Sequence, residues 1–237
     1  MEILVKREYP LRWPGLLDQV VDMIKNAKET KELYGGLRVL YNIFSAFKRE
    51  VDEKRKPLPF LIKQVFPFLE NLLINGTKNV SPDFPSIINL LIKIFYSTIY
   101  QQLEDSFSAD SIKIWMFGAK WVVELNPANF GIKELPSKWK DACAMDSHPF
   151  FKMQKNALEL LSKLAFHTTH PERVSKEVLD CIHQALPTLL NPSMTYLSQL
   201  LKSDLSQNAY AHSNAVTAQH YKFLYYVFQE NVKKEFI

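Results

Sequence analysis

Apolar residues recur along this chain at steps of three and four. Leu37, Leu40, Tyr41, Phe44 and Phe47 share one face, and Leu61, Ile62, Val65, Phe66, Leu69, Leu72 and Leu73 share another. An α-helix is the backbone that gathers such spacing onto one side. Ile87, Ile88, Leu91, Ile94, Phe95 and Ile99 form a third stripe, Ala157, Leu160, Leu161 and Leu164 a fourth, and Tyr221, Leu224, Tyr225 and Phe228 the last. In "SIKIWMFGAKWVVEL" the alternation of Ile112, Ile114 and Met116 imitates a strand. Ile112, Trp115, Met116, Ala119, Val122 and Val123 nevertheless continue at helical steps for about three turns, so the segment reads as helix. No stretch reads as a sheet.

The interruptions pair the helices. Pro57 and Pro59 follow "KREVDEKRK", "NGTKNVSP" separates the second and third stripes, "NPANFGIKELPSKWKDACAMDSHP" is a long break, and "THPERVS" opens another helix. First helices are expected from about Pro14, Leu58, Asp110 and Val174, with partners from about Glu29, Pro82, Pro149 and Ala211. The four hairpins, 10–50, 57–104, 109–170 and 174–232, read as one array over 1–237. The expected fold is all-α: an α-solenoid of about four HEAT-like hairpins in a right-handed superhelical stack, each burying its face against neighbours. An internal echo agrees. "QVFPFLENLL" and "QALPTLLNPS" both put a proline after two apolar residues inside the first helix of a pair, where the missing N–H bends the helix.

Composition narrows the class. With 237 residues and 47% hydrophobic content the chain can bury a sizeable core, and six glycines are too few for a βαβ protein with its tight turns and phosphate-binding loops. The net charge of +4, from 29 basic and 25 acidic residues, falls short of the dense field of a dedicated nucleic-acid or membrane-surface binder. Cys143 and Cys181 have no CxxC spacing and suit buried free thiols in a reducing compartment. No secretory leader is visible at the N-terminus, and polar residues interrupt 84–103, the nearest approach to a membrane span.

Catalytic chemistry finds no foothold. G-x-x-x-x-G-K, G-x-S-x-G and H-E-x-x-H are all missing. His167, His170, Cys181 and His183 offer zinc-ligand chemistry, but His167 and His170 straddle a helix end, where histidines more often bond terminal carbonyls. His212 and His220 read as surface or capping residues, and Glu104 and Asp105 as a solvated pair at a helix exit. No catalytic residue, metal or cofactor is expected.

At this point the residues carry a resemblance. "EYPLRWPGLLDQVVDMI", "LYGGLRVLYNIFSAFKRE", "SHPFFKMQKNALELLSKLAF" and "PERVSKEVLDCIHQALP", in that order, resemble early HEAT repeats of the importin-beta superfamily (karyopherins). The nearest likeness is to the importin-seven and importin-eight group. In that family the tyrosine, proline and tryptophan held here by Tyr9, Pro10 and Trp13 start the first helix of an early repeat. A Pro-Trp-Trp-Lys run with a later Lys and Trp starts a second helix; here it is Pro149-Phe150-Phe151-Lys152 with Lys155 matching and Asn156 in place of the last tryptophan. The resemblance implies a fragment of a longer transport receptor that carries protein cargo through the nuclear pore and shuttles between cytoplasm and nucleus. Its implied partners are Ran-GTP, cargo and phenylalanine-glycine nucleoporins; it acts as a monomer without membrane, direct nucleic acid or cofactor. Such receptors hold basic cargo on acidic inner surfaces. The slightly basic charge here points instead to Ran, acidic cargo or nucleoporins, or to acidic residues segregated onto the inner helices.

Two other classes fit the pattern less well: a TOG-like tubulin-binding HEAT module, with a tryptophan and basic residues along one edge, and a HEAT-like DNA glycosylase, with a basic groove around an acidic residue. Within 126–148, Lys133, Lys138, Trp139 and Lys140 are the expected partner contact, because loops of that length in helical arrays are often functional. "KREVDEKRK" reads as a solvated linker, with a basic knob for an acidic partner as the functional alternative. Pro14 and Trp13 read as a helix start packing on its neighbour. The aromatic end "HYKFLYYVF" reads as core, or as a face that belongs against a further repeat.

Overall fold

The computed structural model describes residues 15–78, 83–130, 132, 147–202 and 214–235. Among them are eight α-helices and no strand: α1 (Leu16–Lys25), α2 (Thr30–Phe47), α3 (Leu58–Lys78), α4 (Phe84–Thr98), α5 (Ala109–Glu124), α6 (Pro149–Thr168), α7 (Lys176–Lys202) and α8 (Asn214–Glu235). The start signals are those the sequence offers. Glu29 and Glu32 close a capping box at α2. The ring Nδ1 of His148 accepts the Phe150 N–H at 3.2 Å in front of Pro149 at α6. Ser175 accepts the Val178 N–H at 3.4 Å before α7. Pro67 lies inside α3, and Pro187 and Pro192 inside α7, so both expected prolines fall within the first helix of a pair.

The chain divides at Ser108/Ala109 into two compact units. In the first, α1 pairs with α2 and α3 with α4, and the second helices α2 and α4 share the most extensive contact. In the other, α5 packs on α6 and α7 on α8, while first helix lies on first helix (α5 on α7) and second on second (α6 on α8). This side-by-side packing of hairpins is that of an α-solenoid of HEAT-like repeats, and the fold is all-α. The segment that imitates a strand is α5, with Trp115 and Met116 wholly buried. Among the described residues no helix is long and apolar enough to cross a membrane.

Close approach of α1 and α2 depends on one glycine. A Cβ on Gly36 would sit 2.4 Å from Ile24 Cγ1, whereas one on Gly35, on the solvent side of the same helix, would meet nothing within 4 Å. Gly36→Ala is therefore expected to destabilise by about 1–3 kcal/mol through overpacking, since the clash falls near the stiff branch point of Ile24. Gly35→Ala should gain about 1 kcal/mol of helix propensity. Urea midpoints of the two variants, moving in opposite directions, check both.

In the first unit a buried arginine closes the helix ends. Arg55, from the charged linker, is 5% exposed and its Nε donates to Glu104 Oε1 at 2.5 Å. Its other nitrogens donate to the Phe47 carbonyl at 3.2 Å and the Thr98 carbonyl at 2.5 Å. Phe47 and Thr98 are the last residues of α2 and α4. One guanidinium thus serves orphan carbonyls of two helices, where the macrodipole favours a cation. Glu104 is 7% exposed, so the expected solvated pair is corrected: Glu104 is the buried counter-ion, and Asp105 alone is exposed. In the same unit Phe44, Phe66, Phe95 and Phe107 pack edge to face, with centroids 4.9–5.9 Å apart.

In the other unit a small polar network lies between α7 and α8. The His220 ring stacks on Tyr196 at 4.1 Å with its Nδ1 2.9 Å from Ser193 Oγ, and the Tyr196 hydroxyl is 2.8 Å from Thr217 Oγ1. His220 is buried, not on the surface, and burial pulls its pKa down from 6.5 to about 4. The buried face of α8 is Val216, His220, Phe223, Leu224 and Val227. Tyr221, Tyr225 and Phe228, expected in the core stripe, are exposed, with Tyr225 at 61%. α8 carries apolar side chains on two faces, and only one of them meets α6 and α7.

Candidate interaction surface

The second helices α4 and α6 are buried around most of their circumference, and few of their residues reach solvent, each of them in part. From position 89 to 100, only Asn89, Lys93, Tyr96 and Tyr100 are less than buried. From 159 to 170 the corresponding residues are Glu159, Lys163, Phe166 and His170, joined by Thr169. The two segments read "NLLIKIFYSTIY" and "ELLSKLAFHTTH", with Leu90 and Leu160, Leu91 and Leu161, Lys93 and Lys163, and Thr98 and Thr168 in the same places. Steps of three and four keep each exposed set on one narrow stripe. Thr98 and Thr168 also do the same work: each hydroxyl donates back to the carbonyl three residues earlier, at 2.6 and 2.7 Å. The burial pattern is thus a repeat as well.

Cations lie over rings on both stripes. Lys48 Nζ is 4.9 Å from the Tyr96 centroid and 4.5 Å from that of Tyr100, and Lys93 Nζ is 5.8 Å from Tyr41. On α6, Lys163 Nζ is 4.3 Å from Phe166, which also meets Tyr226 of α8 and His170. Burial, and secondarily the positive charge of Lys222 on α8, lower the Lys163 pKa from 10.5 to about 8. α4 carries no carboxylate, and α6 sets Glu159 against Lys152, Lys155 and Lys163. On the first helix α5 charges pair locally, Lys113 with Asp110 at 3.2 Å and Lys120 with Glu124 at 2.6 Å. Acidic residues are therefore not gathered on α4 or α6.

The other expected sites fare differently. Lys133, Lys138, Trp139 and Lys140 lie outside the described residues, as do Tyr9, Trp13, Pro14, Cys143 and His212. The start of their loop is anchored, Phe130 packing on Phe150 at 4.9 Å. In "KREVDEKRK", Lys48 lies over the tyrosines and Arg55 is buried, so the stretch is more than a solvated linker. His167 and Cys181 are both buried, and no metal-holding group of His, Cys, Asp or Glu occurs among the described residues. The Cys181 thiol donates to the Ala109 carbonyl at 3.5 Å, tying α7 to the start of α5, and burial raises its pKa. Sequence reasoning missed the paired lysine stripes, although "LL-x-K" followed by an aromatic at the same spacing is visible in both segments.

No family model matches the chain, and no solved structure matches it. Over 119 residues, 49% of this chain, it is 32% identical to an importin beta-like SAD2 homolog of Arabidopsis thaliana. The match covers 11% of that relative, so the chain corresponds to a small part of its length. The likeness supports a relationship at the level of the importin-beta/HEAT superfamily. With the hairpin fold, it favours a protein-binding scaffold over an enzyme.

Proposed function

We propose that the chain is a segment of a karyopherin of the importin-seven and importin-eight kind, carrying protein cargo through the nuclear pore under the control of Ran-GTP and shuttling between cytoplasm and nucleus. The observation that carries this reading is the 32% identity with an importin beta-like protein in a chain built of stacked helical hairpins. Mechanistically, hairpins that touch only their neighbours let small shifts at each joint add up, so one ligand can favour a curvature that another does not accept. The hairpins 10–50, 57–104, 109–170 and 174–232 are the proposed repeats, and Lys133, Lys138, Trp139 and Lys140 a proposed contact for a partner.

Immobilised chain should retain a phenylalanine-glycine repeat peptide and Ran loaded with a non-hydrolysable GTP analogue, and should release tubulin and duplex DNA in the wash. Retention of tubulin or DNA in place of the first two would replace this reading with a tubulin-binding or DNA-repair module. Retention of none of the four would also remove it.

A further inference from the structure

We infer that the C-terminal half of α7, from Pro187 onward, is a hinged segment that opens away from α8 while the rest of the second unit stays packed. The inference rests on the packing of this unit and not on the transport reading, so either can fail without the other. Burial along α7 is uneven. Between Lys176 and Leu186 the helix buries Val178, Cys181, Ile182, Ala185 and Leu186, whereas between Pro187 and Ser198 Leu189 is the one apolar side chain that is buried. Segments with few buried apolar contacts are the ones that open locally at low cost. Two prolines stand where the burial thins. Pro187 and Pro192 have no N–H to offer the helix ladder, so two rungs are lost close together. The first half of α7, by contrast, is tied to the start of α5 through the Cys181 thiol and the Ala109 carbonyl.

What holds the far half to α8 is largely polar. The Tyr196 hydroxyl meets Thr217 Oγ1 at 2.8 Å, Ser193 Oγ meets His220 Nδ1 at 2.9 Å, and the Tyr196 and His220 rings stack. Hydroxyl and imidazole groups exchange such bonds for bonds to water on opening, so they hold less firmly than the same area of apolar contact. Gln219 Oε1, next to His220 on α8, is a buried acceptor with no donor among the described residues, and opening relieves it. A proline inside a helix does not make a hinge by itself. α3 contains Pro67, yet beyond it Leu69 and Leu73 are buried, and Phe66 beside it meets the rings of Phe44, Phe95 and Phe107. Opening at α7 uncovers the side of α8 that holds Thr217 and His220 and gives the unit two outlines. A ligand that bridges α7 and α8 favours the closed one, and a ligand that takes the place of the α7 segment favours the open one.

The test is labelling of the full chain with diethyl pyrocarbonate near neutral pH, mapped by mass spectrometry, beside amide hydrogen exchange. His220 and His167 are both 2% exposed, and a histidine ring is modified only while solvent reaches it. His220 should be labelled at least about tenfold faster than His167 on α6. Amides of 188–198 should exchange about tenfold faster than those of α6, because a half-helix away from its neighbour is too short to keep its own bonds. Pro187→Ala with Pro192→Ala restores the ladder and should slow both signals about tenfold while leaving α6 unchanged. Tyr196→Phe removes the bond to Thr217 and should speed both severalfold, with melting curves confirming the fold. Equal labelling of the two histidines, exchange in 188–198 no faster than in α6, or no response to the double proline replacement would each overturn the inference.

Discussion

Arg55→Ala is expected to lower the unfolding free energy of the first unit by about 3–5 kcal/mol, the cost of leaving a buried charge without its partner. The residue has three tasks at once: it neutralises Glu104, and it supplies donors to the final carbonyls of α2 and α4. Alanine leaves an ionised carboxylate and two helix-end carbonyls buried with no guanidinium donor. Arg55→Met with Glu104→Leu removes both charges and should recover most of the loss, because an apolar pair of similar volume avoids the desolvation penalty. Chemical denaturation of the two single variants and the double variant gives the coupling energy directly. Additive losses would mean that the two side chains do not act as a pair.

Acid should destabilise the second unit through His220. Its folded pKa is about 4 against 6.5 when unfolded, so above pH 6.5 the ring is neutral in both states and its contribution is constant. As the pH falls from 6.5 to 4 the unfolded chain takes up a proton that the folded chain refuses. Stability then drops by about 1.4 kcal/mol per pH unit, roughly 3 kcal/mol in all, and levels off once the folded ring also protonates. Protonation there places a cation under the Tyr196 ring, between α7 and α8. His220→Gln should flatten the slope between pH 6.5 and 4 while leaving that of the first unit intact. A wild-type chain whose second unit is equally stable at pH 7 and pH 4.5 would show that the ring is not shielded from water.

Much of this molecule is written in short-range pattern. Helices begin at Thr30, Leu58, Pro149 and Lys176, close to where capping residues and prolines place them, and Pro67 and Pro187 lie inside first helices as the echo of their two segments implies. These features depend on neighbours within a few residues, and so they can be read from sequence alone. The paired stripes are also present in the sequence as a repeat of leucines, lysine and aromatic ring.

What the tertiary structure decided is which side of each pattern faces inward. Arg55 looks like one more charge in a solvated run until the ends of α2 and α4 converge on it, and Glu104 is buried as its counter-ion. α8 offers two apolar faces of similar quality; contact with α6 and α7 buries His220, Phe223 and Val227 and leaves Tyr221, Tyr225 and Phe228 in water. Periodicity fixes the angle between side chains around a helix but carries no information about which neighbour will cover them. That choice is made by packing between segments distant in the chain, and it is packing that turns two ordinary lysine positions into the solvent-facing stripes of α4 and α6.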